Sequence, residues 1–141
     1  MRKSVIVSNR LPLQISKLEN SFLFQPSSGG LATGLDSVHK NNDSIWVGWS
    51  GITSDELTKK NKFEIKNTLD DLRLIEVELN QKEVDEFYHG LSNKCIWPLF
   101  HYFIELAKFN ENDWLTYVDV NKRFCEKVIQ NTKQNGVVWV H

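Results

Sequence analysis

The sequence predicts an α/β chain built on a doubly wound, mostly parallel sheet with helices on both faces. Short apolar runs rich in β-branched residues stand at 4–8, 44–49 and 137–140, as in strands buried on both faces. Helical periodicity falls between such runs rather than in a block of its own, the order expected of crossover connections. One interruption is predicted, a β-hairpin inserted near residues 13–26.

The elements follow in order. Ser4 to Ser8 form the first strand, which stops at Asn9-Arg10-Leu11-Pro12 because proline cannot continue a ladder. Leu13, Ile15, Phe22 and Phe24 flank a polar stretch that turns near Glu19 and Asn20. Ser27-Ser28-Gly29-Gly30 opens a helix from Leu31 to about His39, with Leu31, Leu35 and Val38 at helical spacing, and Asn41-Asn42-Asp43 ends it. Ser44 to Trp49 form a second apolar strand closed by Ser50-Gly51. Residues 53–70 read as a polar, lysine-rich surface stretch, at most partly structured. Leu72, Leu74, Ile75, Val77 and Leu79 predict a further strand. Asn80 serves as N-cap of a helix to Tyr88, with Glu83 at the capping-box position and Gly90 as its stop. From Asp113 to about Lys133 the pattern is helical, with Trp114, Tyr117, Val118, Phe124, Cys125 and Val128 on one face. Gly136 ends it, and Val137 to Val140 form a last buried strand. A strand followed by no crossover helix predicts that these residues are the N-terminal part of a longer protein.

Composition excludes several function classes. The 141 residues fit one domain. Seventeen Lys and Arg against eighteen Asp and Glu leave a net charge of -1, which argues against a nucleic-acid surface. No apolar run is long enough to cross a bilayer, so no membrane partner is expected. Met1-Arg2-Lys3-Ser4 leads into only Val5 to Val7, too short for a signal-peptide core. Cys95 and Cys125 lack metal-ligand spacing and are too few for a disulfide scaffold. They read as buried small apolar residues of a cytoplasmic protein. Five Trp supply core material that a disordered chain lacks.

Three segments carry chemistry. Arg10 leaves the first strand at the carboxyl edge of the sheet, where doubly wound folds bind ligands. A guanidinium there suits a phosphate. Gly29 and Gly30 allow close backbone approach, and a helix start offers free N–H groups to an anion. This is neither Gly-x-Gly-x-x-Gly nor a Walker P-loop. A surface arginine and an ordinary Gly-Gly turn fit the spacing equally. Tyr88, Trp97 and the run Pro98-Leu99-Phe100-His101-Tyr102 suit a sugar, through stacking and hydroxyl contacts. Packing beneath a loop is the alternative, and His101 reads as a satisfied core residue. His39 and His89 stand in polar surroundings, and no metal site is expected from them. Trp46-Val47-Gly48-Trp49-Ser50-Gly51 predicts close packing at a strand end, with Trp49 as a pocket wall or a core residue. Lys59, Lys60 and Lys62 read as a solvated face.

Taken in order, these segments are more specific than any one alone. Ser8-Asn9-Arg10-Leu11-Pro12, Ser28-Gly29-Gly30-Leu31 and Trp46 to Gly51 come first. Tyr88-His89-Gly90-Leu91-Ser92-Asn93, Trp97 to Tyr102, Tyr117-Val118-Asp119-Val120-Asn121 and Val138-Trp139-Val140-His141 follow. Essentially the whole chain resembles the N-terminal domain of trehalose-6-phosphate synthases, retaining glycosyltransferases of the two-Rossmann-domain (GT-B) type. The resemblance implies a Rossmann-like acceptor-side domain over residues 1–141, incomplete without a C-terminal donor-binding domain. It implies transfer of glucose from UDP-glucose to glucose 6-phosphate, with no metal or other cofactor. Arg10 matches the acceptor-phosphate ligand, Tyr88 and Trp97 match acceptor-site residues, and Trp49 matches a pocket wall. Gly29 and Gly30 match the glycine pair that approaches the donor diphosphate. No residue here matches a general base or nucleophile. Phe87, Leu91 and Cys95 depart from the family's commoner Tyr, Phe and aliphatic residues. The family's Asp-Tyr-His-Leu after Trp-Val-His, and its donor-binding basic residues, are not in these 141 residues. Two rivals stay open: transfer to another acceptor, such as glucosylglycerol-phosphate synthesis or pseudo-glycosyl transfer, and a non-catalytic sugar-phosphate-binding regulatory homologue. A homo-oligomer of the full-length protein is also left open.

Overall fold

A computed structural model describes residues 4–19 and 21–141. Met1 to Lys3, which head the short apolar start, and Asn20, expected at the hairpin turn, lie outside the described residues. The strands are β1 (Ser4–Arg10), β2 (Leu13–Lys17), β3 (Phe22–Pro26), β4 (Ser44–Trp49), β5 (Leu74–Glu76) and β6 (Val137–Val140). The helices are α1 (Gly30–Asn41), α2 (Lys59–Asp71), α3 (Gln81–Glu83), α4 (Trp97–Phe100) and α5 (Glu111–Asn131). A π-helical segment, Val84–Ile96, joins α3 to α4.

Four strands form a parallel sheet in the order β5-β4-β1-β6. β2 and β3 make a separate antiparallel hairpin, with the Leu18 N–H donating to the Ser21 carbonyl at 2.9 Å across its turn. Parallel strands run to a common carboxyl edge, so the ends of β1, β4, β5 and β6 share one rim. Apolar clusters cover both faces. On one, Val5, Val7, Ile45 and Val47 pack with Phe87, Val120 and Phe124. On the other, Ile6 and Trp46 pack with Ile15 of the hairpin, Leu35 of α1, and Ile65 and Leu69 of α2. The expected double winding is thus present.

Several expectations change. The polar stretch over 53–70 contains a 13-residue helix. Thr58 caps it in a reciprocal box with Asn61, and its burial narrows to Ile65 and Leu69, too few apolar positions to announce an amphipathic face. The strand expected over 72–79 shortens to Leu74–Glu76: Arg73, at a φ of 59°, interrupts the extended backbone before it, and the Val77 N–H bond to the Gly48 carbonyl is the last tie to β4. Gly90 does not stop its helix. The run continues to Phe100, and a Cβ at Gly90 would fall on the Asp113 carboxylate of α5. The glycine there serves close helix approach.

On α5 the core residues are Val120 and Phe124, while Trp114 and Cys125 are exposed. Cys95 is half-buried, so neither cysteine is the core residue expected. β6 is not buried: it pairs with β1 alone and forms the sheet edge, with all four residues exposed. Leu31 is exposed and Leu35 is the buried leucine of α1. His39 is buried beside Trp46, its Nε2–H donating to the Leu72 carbonyl and its Nδ1 hydrogen-bonded to Ser44 Oγ, each at 3.1 Å. Burial lowers its pKa by disfavouring the imidazolium, and the Arg73 charge adds to this while the Leu72 carbonyl opposes it. His101 is exposed rather than part of a core.

Candidate functional site

The carboxyl rim gathers part of the predicted constellation around Arg10. β1 and β4 pair in regular register up to Val7 opposite Val47, but Arg10 then faces Trp49. One extra residue on β1 makes a bulge, a device that re-aims a side chain at a sheet end. Ser8 holds it: its hydroxyl donates to the Arg10 carbonyl at 2.6 Å and accepts from Trp46 Nε1 at 2.8 Å. Gly48 makes room, since a Cβ there would sit 2.8 Å from the Leu11 nitrogen and 2.9 Å from the Ser8 oxygen.

The re-aimed guanidinium lies over the Trp49 ring, with Cζ 4.3 Å from the centroid. On another side the Tyr88 ring centroid is 5.6 Å away. Each such contact contributes about 0.5–2 kcal/mol, depending on desolvation. Trp49 is itself fixed by its Nε1–H, which donates to the Ile52 carbonyl at 2.8 Å. Gly51, at a φ of +93°, closes the third side, where a Cβ would lie 2.7 Å from Arg10 Nη1. Only glycine serves there, both for its left-handed backbone and for the lack of space. Among the described residues Arg10 forms no ion pair or side-chain hydrogen bond, so its donors remain free for an anion. The structure thus brings Arg10, Trp49 and Tyr88 together.

Trp97 makes no cation–π contact with Arg10 among the described residues. It sits on α4, 51% exposed, with its ring stacked 4.1 Å from His101 and 6.4 Å from Phe103. Gly29 and Gly30 lie at the start of α1, reached from the same rim: the Ser27 N–H donates to the Pro12 carbonyl at 2.8 Å. Gly29 has an extended backbone (φ -139°), and a Cβ at either glycine would meet nothing within 4 Å. Neither strain nor packing accounts for this pair, which leaves an open approach to the helix N-terminus.

Beside Tyr88 opens a cleft of about 510 Å³ lined by Asn9, Phe87, Ser92, Tyr117, Val140 and others. Sequence reasoning missed Ser50 and Glu76. Ser50 is wholly buried and donates its hydroxyl to the Glu76 carboxylate. Burial raises the Glu76 pKa, with neighbouring Glu78 adding to the effect, while Ser50 and Lys62 oppose it. The missed signal was an acid set between the apolar residues Ile75 and Val77 at a strand end. Among the described residues no three His, Cys, Asp or Glu gather as a metal site, and no helix is long and apolar enough to cross a membrane.

A parallel α/β sheet with helices on both faces and an unspent cation at its carboxyl rim, the edge where such folds bind ligands, defines a domain of the doubly wound class. The comparisons narrow the class. The family model for glycosyltransferase family 20 matches residues 2–141, and the chain belongs to that family. It is 37% identical over 142 residues to the UDP-forming alpha,alpha-trehalose-phosphate synthase of Candida albicans, covering 99% of this chain and 29% of that protein. Among solved structures it is similar to the UDP-forming alpha,alpha-trehalose-phosphate synthase of Burkholderia vietnamiensis, with a TM-score of 0.71 and 26% identity, over 100% of this chain and 28% of the other. A second, the E. coli protein bound with UDP-2-fluoro glucose, gives a TM-score of 0.68 and 28% identity over 99% and 27%. The chain therefore spans between a quarter and a third of the length of these three relatives.

Proposed function

We propose that this chain supplies the acceptor-side domain of a retaining glucosyltransferase that makes trehalose 6-phosphate. In the reaction the bond between glucose C1 and the UDP oxygen breaks. A bond from C1 to the anomeric oxygen of glucose 6-phosphate forms, and that oxygen's proton is released together with the departing UDP. The observation that carries the reading is the free Arg10 guanidinium, held against Trp49 and near Tyr88 at the carboxyl rim. The names of the relatives, UDP-forming trehalose-phosphate synthases, support the donor and the product.

In this reading Arg10 binds the acceptor phosphate through paired charged hydrogen bonds, Trp49, buried in the core beneath the guanidinium, fixes its direction, and Tyr88 walls the sugar. Trp97, on α4, shapes the acceptor pocket from further along the same helical run. Gly29 and Gly30 let the donor diphosphate reach the N–H groups that open α1. The chemistry these residues contribute is orientation. Holding two reactants in register lowers a barrier by about 7–11 kcal/mol in favourable cases. No general base is assigned among these residues. A cytoplasmic setting and catalysis without a metal or other cofactor belong to the same reading.

Arg10→Ala in the intact protein tests it. Losing a charged hydrogen-bonding partner is worth about 1.5–3 kcal/mol, or roughly ten- to a hundredfold in the acceptor's KM, with the UDP-glucose KM little changed. An unchanged acceptor KM refutes the assignment. A panel of phosphorylated and unphosphorylated acceptors separates glucose 6-phosphate from other acceptors. Binding without turnover on every acceptor would mark a regulatory homologue.

A further inference from the structure

We propose that Glu76 is a positioning residue for Arg10, acting through Ser50 and the turn that follows it. The inference rests on the reading of Arg10 as the acceptor-phosphate ligand.

Glu76 ends β5 and pairs in register with Gly48, the glycine that lets the β1 bulge pass. Its carboxylate accepts the hydroxyl of Ser50, a residue with no exposed surface. Turn 49–52 is pinned elsewhere by three bonds. The Leu11 N–H donates to the Trp49 carbonyl at 2.9 Å and the Ile15 N–H donates to the Ser50 carbonyl at 2.9 Å. Trp49 Nε1 donates to the Ile52 carbonyl at 2.8 Å. Only Glu76 reaches this turn from the β5 side with a side chain, among the described residues. The guanidinium rests on the two flanks of Ser50: the Trp49 ring on one and the Gly51 backbone on the other. A shift of Ser50 therefore moves both surfaces that aim Arg10.

Glu76 has no ion-pair partner among the described residues, since Lys62 pairs with Glu78 instead. A half-buried carboxylate without a cation costs stability that a neutral residue would not. Its presence fits a task at the rim better than a task in the fold. A carboxylate is also the strongest acceptor available to a buried hydroxyl.

The test titrates glucose 6-phosphate and, separately, UDP into the intact protein and its Glu76→Ala, Glu76→Gln, Ser50→Ala and Arg10→Ala variants. Glu76→Ala is expected to weaken glucose 6-phosphate roughly three- to tenfold and leave UDP unchanged. Glu76→Gln keeps an oxygen for Ser50 and is expected to stay within about twofold of wild type. Ser50→Ala should follow Glu76→Ala, and it carries the test if Glu76→Ala does not fold. Wild-type glucose 6-phosphate affinity in Glu76→Ala or Ser50→Ala, with Arg10→Ala weakened, overturns this inference and leaves the reading of Arg10 standing. Equal weakening of both ligands overturns it too, as general damage. Wild-type affinity in Arg10→Ala overturns the underlying reading and this inference with it.

Discussion

Replacing Gly48 by alanine probes how Arg10 is aimed. The added Cβ would stand 2.8 Å from the Leu11 nitrogen and 2.9 Å from both the Arg10 carbonyl carbon and the Ser8 oxygen. All three are backbone atoms, so no side-chain rotation relieves the contact. To reach ordinary van der Waals separation, β1 must withdraw from β4 by about 0.6 Å. The withdrawal strains the bond from the Leu11 N–H to the Trp49 carbonyl and pulls Arg10 from its aromatic seat. Overpacking of this kind costs about 1–3 kcal/mol. Equilibrium urea unfolding should therefore show Gly48→Ala destabilised by that amount, and glucose 6-phosphate titration should show a weaker acceptor. Gly30→Ala is the control: nothing lies within 4 Å of its Cβ, and alanine within a helix is favoured over glycine by about 0.5–1 kcal/mol. Wild-type stability in Gly48→Ala would refute the reasoning, as would a loss in Gly30→Ala equal to that in Gly48→Ala.

Gly30→Val should fold with wild-type stability yet bind UDP more weakly, because the new side chain projects into the open approach to α1; titration of UDP checks it. Gly90→Ala meets only the Asp113 carboxylate, which can swing aside, so its loss in urea unfolding should be smaller than that of Gly48→Ala. His39 has a lowered pKa in the fold, so the unfolded chain takes up its proton more readily. Its contribution is full above the ordinary histidine value and is lost as pH falls through the folded value, so stability should drop as pH falls below about 6.5. His39→Gln should flatten that slope. Glu76 has a raised pKa, so its contribution is full below the ordinary carboxylate value and is lost as pH rises through the folded one. Glu76→Gln should therefore gain on wild type as pH rises, and parallel urea curves at acid and neutral pH would contradict this.

How much of the molecule could be read beforehand depended on which signals were local. The apolar strands at β1 and β4 announced themselves, because strands covered on both faces leave no polar alternation. The hairpin and the place of Arg10 followed from Pro12 and the phenylalanines at 22 and 24. Gly90 misled because a glycine needed for close approach to Asp113 looks the same in sequence as one that ends a helix. α2 was hidden because two buried residues, Ile65 and Leu69, are all its core face requires. β6 looked buried from its valines, but burial at a sheet edge depends on what lies beyond it. At the site, the convergence of Arg10, Trp49 and Tyr88 was legible once the motifs were taken together. The bulge, the Gly51 contact and the link from Ser50 to Glu76 arise from long-range register, which no single segment encodes.

Discrimination between glucose 6-phosphate and glucose reports most directly on whether the Arg10 guanidinium reads a phosphate. Calorimetric titration of both sugars into the intact wild-type protein and Arg10→Ala should show a strong wild-type preference for the phosphorylated sugar that collapses in the variant, mainly through loss of the phosphorylated ligand. The same preference in both proteins would contradict the account.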